Sequence, residues 1–522
     1  MIQVTVGELY DRCVQQFGAN VAIKHGSDSF TYSDLGAKAK SIARSLQDAG
    51  IRKGETIAFL MANCPEYIFC EYALAKIGAV RVPLAVLLNL ADHIDMMNQA
   101  ECTTLIYHHS LSDRVLKMIP DLRTTTRFIR AGDADELPDG HIALSDLMNI
   151  DCGKPATVAI DPEDLAGIYF TGGTTGRPKG VMLSHRSWIY TYLIEMLEYE
   201  FAWGEVFLYA TPLTHAGGCL ILPVLLRKGR CVIMDHFEPE LFMQEVSKEN
   251  VTATFLVPTM IYMLLDHPAR DQYELGSLKN VIYGASAIAP ERLKQALDIF
   301  GPIFTQLFGQ TEAPMTMTAL SRGEHVAGSP ERQMRVLSSA GLPTFHAEIR
   351  LLDEDGQEVA PGEAGEIVVR CANMMSGYLN NPDATAQTIR DGWLYTGDIA
   401  TIDDEGFVYI VDRKKDMIVS GGFNVYPREI EDVLHEHAAV KGVAVVGVPD
   451  DRWGEAVCAV VELHEHVEAT SDELISFVKE RKGSLVAPKL IDFWDSIPLT
   501  NLGKLDKKAI RNHYWKDQNR KV

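Results

Sequence analysis

Several common sequence features are absent from this chain, and each absence excludes a class of protein. None of its 9 cysteines forms a Cys-x-x-Cys pair, so neither a zinc knuckle nor a thioredoxin-like motif is predicted. The scattered cysteines and the lack of a signal peptide predict reduced thiols and a cytoplasmic protein. The apolar run 219–226 is far too short to cross a bilayer, so no membrane span is expected.

Positive charge is also scarce. Lys and Arg total 49 against 71 Asp and Glu, which gives a formal net charge of −22. Binding to nucleic acid depends on neutralising phosphates, so no nucleic-acid partner is expected for so acidic a chain. Hydrophobic residues make up 47% of the 522 residues, which indicates a globular protein of several domain-sized units.

The order of the predicted elements indicates layers of helices and largely parallel strands. Thr31 and Asp34 form a capping-box pattern before an amphipathic helix, residues 56–60 read as a strand, and this alternation continues to about residue 310. Hairpins are predicted at 348–370 and 394–411, and a small α+β unit from about residue 427. We therefore predict an α/β fold in two domains. Residues 1–412 are predicted to form a large N-terminal domain of layered α/β subdomains plus a β-rich subdomain, and residues 413–522 a small α+β domain.

A glycine-rich segment, residues 171–180, follows a predicted buried strand at 165–170. Glycines let backbone N–H groups approach a polyanion, and threonine hydroxyls add donors. Arg177 and Lys179 bring positive charge to the same segment. Pro178 stands where a Walker A loop has glycine. The composition therefore predicts a phosphate-binding loop of another architecture, because an ordinary strand-to-helix turn seldom needs three hydroxyls and two cations.

Four further motifs accompany this loop. They are Phe308-Gly309-Gln310-Thr311-Glu312, Tyr395-Thr396-Gly397-Asp398, the charged run 412–416 that leads into Ser420-Gly421-Gly422, and the segment 498–504 that ends at Lys504. In order and spacing, the five motifs resemble those of the adenylate-forming superfamily, which includes acyl-CoA synthetases, luciferases and peptide-synthetase adenylation domains. The resemblance covers nearly the whole chain.

The resemblance implies a role for each motif. The implied catalytic residues are Lys504, His215, Thr311 and Glu312, and Glu312 is also the implied ligand of Mg²⁺. The implied ATP-binding residues are Thr171, Gly172, Gly173, Thr174, Thr175, Gly176 and Lys179 for the phosphates, Gly284, Ala285, Ser286, Phe308 and Gly309 around adenine, Thr311 at a phosphate, and Asp398 and Arg413 at the ribose. Ser420, Gly421 and Gly422 are the implied contacts of the pantetheine of CoA. Outside this pattern, Phe308 would be interpreted as core and Lys504 as an exposed lysine.

The implied reaction has two steps. A substrate carboxylate attacks the α-phosphate of ATP and forms an acyl-adenylate and pyrophosphate, and CoA then takes the acyl group while AMP leaves. Members of the superfamily rotate the C-terminal domain between the steps, and Lys415, in the segment 413–416, matches their hinge position. The expected substrates and cofactors are a small carboxylic acid, ATP, Mg²⁺ and CoA, and a homodimer is a further expectation.

The identity of the acid is less determined. Six small residues predict room for a bulky or long acyl group, namely Ala216, Gly217, Gly218, Gly284, Ala285 and Ala313. No cation for a second carboxylate is evident, which favours a fatty or cyclic monocarboxylic acid. An aryl acid of the benzoate or cinnamate type and a carrier protein as acyl acceptor are the alternatives. A luciferase-like oxygenase and a nucleotide-binding module without catalysis also stay open.

Overall fold

The computed structural model describes residues 3–132, 136–149, 155–171, 177–414, 416–420, 423–450, 454–484, 486–499 and 505–516. The chain divides into two compact units, the first comprising residues 1–348 and 370–394 and the second residues 349–369 and 395–522. Residues 395–412 thus group with the C-terminal residues, whereas the sequence predicts a boundary at 412/413. The predicted hinge at 413–416 lies inside the second unit and stays a prediction. In the described ranges, no helix is long and apolar enough to cross a membrane.

The strands and helices are numbered in chain order. The strands are β1 (Val21–His25), β2 (Asp28–Thr31), β3 (Thr56–Leu60), β4 (Val80–Pro83), β5 (Thr104–His108), β6 (Arg127–Ala131), β7 (Ile142–Ala143), β8 (Leu165–Thr171), β9 (Lys179–Ser184), β10 (Val206–Tyr209), β11 (Arg230–Ile233), β12 (Ala253–Leu256), β13 (Asn280–Tyr283), β14 (Phe304–Gln310), β15 (Ala313–Leu320), β16 (Leu342–Pro343), β17 (Glu348–Leu352), β18 (Gly365–Arg370), β19 (Gly377–Tyr378), β20 (Ile389–Arg390), β21 (Trp393–Ile402), β22 (Val408–Arg413), β23 (Ile418–Ser420), β24 (Phe423–Val425), β25 (Val440–Asp450), β26 (Gly454–Leu463) and β27 (Leu490–Phe493). The helices are α1 (Val6–Phe17), α2 (Tyr32–Asp48), α3 (Pro65–Ile77), α4 (Leu90–Gln99), α5 (Ser112–Met118), α6 (Leu144–Met148), α7 (His185–Glu198), α8 (Ala216–Cys219), α9 (Ile221–Leu226), α10 (Pro239–Glu249), α11 (Pro258–Leu265), α12 (Pro290–Phe300), α13 (Pro330–Leu337), α14 (Pro382–Thr388), α15 (Pro427–His435), α16 (Ser471–Lys482) and α17 (Lys507–Trp515).

Two large sheets form the framework of the first unit. One has nine strands in the order β16-β15-β14-β13-β12-β10-β11-β1-β2, and the other has eight in the order β19-β9-β8-β4-β3-β5-β6-β7. In the nine-stranded sheet, β1 and β10 to β14 are parallel, and antiparallel strands complete its two edges. The predicted layered α/β architecture is therefore confirmed.

Local sequence explains how individual elements begin. The Thr31 hydroxyl accepts from the Asp34 N–H at 3.1 Å and the Asp34 carboxylate accepts from the Thr31 N–H at 2.8 Å, which confirms the predicted capping box of α2. In the nine-stranded sheet, Leu208, Val281 and Phe304 are buried and belong to one core cluster under its helices. Burial of this apolar surface stabilises the layer of helices on the sheet.

The second unit contains hairpins and a small α+β part, as predicted. Strand β17 neighbours β18, β18 neighbours β21, and β22 pairs with β21 in antiparallel register. In the α+β part, β25 pairs with β26 and β26 with β27. One face of this sheet packs against α15 and α16, and the other packs against Ile510 of α17.

Candidate active site

The glycine-rich loop connects two antiparallel strands. Strands β8 and β9 pair so that Thr171 lies opposite Lys179, and α7 begins only after β9. The competing interpretation, a strand-to-helix turn, is therefore wrong. Thr171 is half-buried and Lys179 is exposed, at the two flanks of the loop. Residues 172–176 lie outside the described residues.

Lys179 and Glu312 both contact one tyrosine, Tyr378. Strand β19 pairs with β9 so that Tyr378 lies opposite Val181, two residues from Lys179. The Lys179 Nζ lies 4.9 Å from the centre of the Tyr378 ring, within cation–π distance. The Tyr378 hydroxyl donates to Glu312 Oε1 at 2.7 Å, and burial together with the Glu312 charge raises the pKa of Tyr378. Sequence reasoning missed Tyr378.

Glu312 and Thr311 form the two-residue turn between β14 and β15. Gln310 pairs with Ala313, so the two intervening side chains project from the end of the hairpin. The N–H of Met375 donates to the Glu312 carbonyl at 2.8 Å and fixes the turn. In the described ranges, no group of three or more His, Cys, Asp or Glu could hold a metal ion. Glu312 is therefore not part of a larger cage of protein ligands, which is compatible with Mg²⁺, an ion that proteins often hold through one or two carboxylates together with a substrate phosphate.

The predicted adenine contacts lie together at the carboxyl ends of β13 and β14. These strands are parallel, with Tyr283 opposite Gln306, so residues 284–286 run beside 307 and 308. A Cβ on Gly284 would lie 2.6 Å from the Leu307 carbonyl oxygen, which explains the glycine. Ala285 has a φ of +67° and is exposed with Ser286, while Phe308 is half-buried. The two predicted walls of the adenine site, residues 284–286 and Phe308, are therefore neighbours.

His215 follows β10, whose carboxyl end lies at the same edge of the nine-stranded sheet because β10, β12, β13 and β14 are parallel. Its imidazole is exposed, and Nδ1 lies 3.4 Å from the Thr214 hydroxyl. A Cβ on Gly217 would lie 2.6 Å from Thr211 Oγ1, and a Cβ on Gly218 would lie 2.0 Å from a backbone carbonyl oxygen. Close backbone packing thus requires these glycines, and their size gives no measure of an acyl pocket.

Arg177 lies against a carboxylate of the protein itself. Its Nε lies 2.8 Å from both carboxylate oxygens of Asp95 on α4, and its Nη2 contacts Oδ1 as well. Gln99, one turn further along α4, donates to Asp95 at 2.7 Å and lies 3.3 Å from the Pro178 carbonyl. These contacts fix the end of the loop nearest Lys179 to α4.

In the second unit, Asp398 and Arg413 face each other on paired strands. They are opposite in the β21–β22 register, and Arg413 Nε lies 2.7 Å from Asp398 Oδ1. Asp398 is 2% exposed, whereas Arg413 is exposed. The Asp398 N–H donates to the Thr396 hydroxyl at 3.1 Å, and that hydroxyl donates to the Ile367 carbonyl at 2.8 Å. The backbone of Asp398 is thus fixed by the Thr396 hydroxyl, and its carboxylate forms an ion pair with Arg413.

Several predicted residues lie outside the described residues: Gly172, Gly173, Thr174, Thr175, Gly176, Lys415, Gly421, Gly422 and Lys504. Their neighbours are described. Ser420 is buried at the end of β23. Leu499 pairs with Leu505, and the Asp506 N–H donates to the Pro498 carbonyl at 2.9 Å. The described residues on either side of 500–504 are therefore paired with each other.

A lysine and a carboxylate that contact one tyrosine beside a glycine-rich hairpin are groups suited to a phosphorylated ligand and its metal, as in enzymes that use a nucleotide. The AMP-binding enzyme family matches residues 10–379, and the C-terminal domain of AMP-binding enzymes matches residues 429–504. The chain therefore belongs to the AMP-binding, or adenylate-forming, enzyme family.

Three similar proteins illustrate the range of relatives. The chain is 40% identical to the medium/long-chain-fatty-acid–CoA ligase FadD8 of Mycobacterium tuberculosis, over 95% of this chain and 88% of the relative. It is 35% identical to a feruloyl-CoA synthase of an Amycolatopsis species, over 94% and 96%. The solved amide bond synthetase McbA of Marinactinospora thermotolerans superposes with a TM-score of 0.88 at 30% identity, over 97% of this chain and 99% of that one.

Proposed function

We propose that this enzyme is an AMP-forming acyl-CoA synthetase. It activates a monocarboxylic acid with ATP as an acyl-adenylate, releases pyrophosphate, and then forms a CoA thioester with release of AMP. The observation that carries this proposal is that Lys179 and Glu312 both contact Tyr378 beside the glycine-rich hairpin. The similarity along almost the whole chain to a fatty-acid–CoA ligase and to a feruloyl-CoA synthase supports CoA as the acyl acceptor.

The first step brings a carboxylate to a triphosphate, and both are negative. Lys179 and the N–H groups of the glycine-rich loop would hold the β- and γ-phosphates, with Thr311 at a further phosphate oxygen. Glu312 would hold Mg²⁺, which would supply positive charge to the phosphates. Cationic groups fixed before the reaction lower the barrier to in-line attack, since they need no reorganisation when charge develops.

Separate groups are proposed for the base and for the ribose of the nucleoside. Phe308 and residues 284–286 would enclose adenine, and the buried Asp398 would accept hydrogen bonds from the ribose hydroxyls beside Arg413. Fixing the nucleoside at both ends restricts the α-phosphate to one orientation, which favours attack by the acid. Exposed His215, at the same sheet edge as Phe308, would orient the substrate carboxylate.

The second step requires a different set of groups. Residues 413–522 would move as a domain about Lys415, so that Lys504 serves adenylation and Ser420, Gly421 and Gly422 serve the pantetheine of CoA. A lysine at the α-phosphate would neutralise the negative charge that develops while the adenylate forms. The second step would not need it. A cytoplasmic location and a homodimer stay predictions of the same kind.

The acid is proposed to be a fatty or cyclic monocarboxylic acid. The name of FadD8 supports a fatty acid, and the feruloyl-CoA synthase favours an aryl acid as the alternative. The similarity to the amide bond synthetase McbA makes an amine the alternative acyl acceptor. The acid and the acceptor are therefore tested together.

The test is a screen for pyrophosphate release over fatty acids of graded chain length, cyclic acids and aryl acids. Each acid is supplied with ATP and Mg²⁺, with and without CoA, and products are identified by mass spectrometry. Acid-dependent pyrophosphate and a CoA thioester are expected. Pyrophosphate release without a thioester, together with formation of an amide or of a loaded carrier protein, would show that the acyl acceptor is an amine or a carrier protein and not CoA. No acid-dependent pyrophosphate would contradict the proposal.

Lys504→Ala separates the two steps. We expect loss of pyrophosphate release with retention of thioester formation from supplied acyl-adenylate and CoA. The control is Lys508→Ala, because Lys508 is an exposed lysine only four residues away. Equal loss of both steps in Lys504→Ala would contradict the proposed role of this lysine.

A further inference from the structure

Asn63 is a buried amide in the segment that follows β3, and it is 7% exposed. Its Nδ2 group donates to the Thr211 carbonyl at 3.1 Å and to the Met234 carbonyl at 2.9 Å. Its Oδ1 atom accepts from the Leu213 N–H at 2.9 Å. Both amide hydrogens and the amide oxygen of Asn63 are thus bonded to backbone groups of distant segments.

The partners of Asn63 lie beyond the carboxyl ends of two neighbouring strands. Strands β10 and β11 are parallel, with Tyr209 opposite Ile233. Thr211 lies two residues after β10, and Met234 directly follows β11. Strand β3 belongs to the other large sheet of the same unit. Asn63 therefore joins the two large sheets at the edge that carries the predicted adenine and acid contacts.

The bonded segment after β10 is the base of a compact loop, residues 211–218, with the exposed His215 near its middle. The His215 N–H donates to the Pro212 carbonyl at 3.1 Å, and the His215 carbonyl accepts from the Gly218 N–H at 2.9 Å. A Cβ on Gly218 would lie 2.0 Å from the Leu213 carbonyl oxygen. The backbone after His215 thus packs directly on the segment before it, which Asn63 holds.

We propose that Asn63 is a positioning residue that sets the location of the His215 imidazole and thereby the binding of the acid. The inference rests on the proposed function, in which His215 orients the substrate carboxylate. Without the Asn63 amide, three buried backbone groups would lack a partner, and the base of the loop would shift to recover hydrogen bonds. A displacement of about 1 Å in a group that positions a substrate can lower a rate by about 100-fold. Asn63 acts through residues 211–213 and not on the acid itself.

The test compares the KM for the acid with the KM for ATP in Asn63→Ala, from rates of acid-dependent pyrophosphate release. The acid is the one with the highest rate in the screen described above. We expect the KM for the acid to rise about tenfold and the KM for ATP to change by less than about twofold, because the proposed nucleotide contacts lie on other segments.

A double-mutant cycle tests whether Asn63 acts through His215. The value of kcat/KM for the acid is measured for Asn63→Ala, for His215→Ala and for the double variant. If Asn63 acts through His215, adding Asn63→Ala to His215→Ala should lower kcat/KM by less than about twofold further. Two losses that multiply would show that Asn63 acts by another route and would overturn the inference.

Asn280→Ala is the matched control. Asn280 is also a buried amide, which donates to the Tyr199 carbonyl at 2.6 Å and accepts from the Thr305 hydroxyl at 3.0 Å. It lies at the amino end of β13, away from the carboxyl ends that carry the candidate site. Its substitution should lower the melting temperature and leave the ratio of the two KM values unchanged.

Asn63→Asp is a second variant of nearly the same size. It keeps the acceptor of the Leu213 N–H but loses both donors when ionised, so at pH 8 it should raise the KM for the acid in the same direction as Asn63→Ala. The inference is overturned if the KM for the acid stays within about twofold of wild type in both variants, or if the KM values for the acid and for ATP rise equally. A wild type without acid-dependent pyrophosphate release would refute the proposed function together with this inference.

Discussion

The hydroxyl of Tyr378 is expected to strengthen the binding of Mg²⁺ at Glu312. Tyr378 is 7% exposed, and its hydroxyl donates to Glu312 Oε1 at 2.7 Å. Tyr378→Phe removes this donor and keeps the ring under Lys179, so it tests the hydrogen bond without removing the cation–π contact. The carboxylate then loses the group that orients it, and its metal affinity should fall.

The expected magnitude follows from the chemistry of this contact. A hydrogen bond to a charged group contributes about 1.5–3 kcal/mol. Removing a group that orients a metal ligand lowers metal affinity by about 10- to 100-fold. Glu312 is half-buried, and water can replace part of the lost contact, so about a tenfold effect is expected.

The assay is a titration of Mg²⁺ at saturating ATP, with the rate of acid-dependent pyrophosphate release as the readout. The half-saturating Mg²⁺ concentration should rise about tenfold while the maximal rate changes much less. Tyr273→Phe is the control, because Tyr273 donates to Glu240 at the same 2.7 Å on an exposed surface. An unchanged Mg²⁺ requirement in Tyr378→Phe would refute the reasoning.

Two further predictions concern stability. Glu71→Gln should lower the free energy of unfolding in urea by about 3–5 kcal/mol, because it leaves the buried Arg81 without its counter-charge; Glu163→Gln, in an exposed ion pair, should change it by less than about 1 kcal/mol. Burial lowers the pKa of His325 from 6.5 to about 4. Its folded pKa lies below its unfolded one, so its contribution is present above pH 6.5 and is lost as the pH falls toward 4. Unfolding at pH 7 and pH 5 should show this loss, and His325→Gln should reduce it; a pH dependence equal to that of the wild type would contradict the assignment to His325.

The sequence predicts elements well where one local signal decides them. The helix expected from about residue 427 is α15 (Pro427–His435), and the capping residues of α2 are in place. Strand lengths are less predictable. The strand expected at 444–448 extends over Val440–Asp450, because pairing with β26 continues beyond the apolar residues. Long-range pairing therefore decides strand ends that composition leaves open.

The candidate site likewise contains one pairing that the sequence could have predicted and one that it could not. Asp398 and Arg413 belong to separate predicted motifs, and the turn between β21 and β22 makes them opposite, so a register argument could have paired them. Tyr378 offers no such signal. Its position depends on β19, a strand of two residues that pairs with β9 and begins with Gly377, whose φ is +145°. A pairing this short, and so distant along the chain, leaves no periodic pattern in the sequence.

The two cations of the glycine-rich loop differ in how readily they could bind a phosphate. Arg177 lies 2.8 Å from both oxygens of Asp95, and this contact lowers the pKa of that carboxyl. ATP would have to displace a carboxylate to recruit Arg177, which offsets much of the gain. Lys179 rests on the neutral ring of Tyr378, and no carboxylate of the described residues forms an ion pair with it. Composition alone counts two equal cations, whereas the structure joins Arg177 to α4, and we therefore expect Lys179 to be the cation that binds the nucleotide.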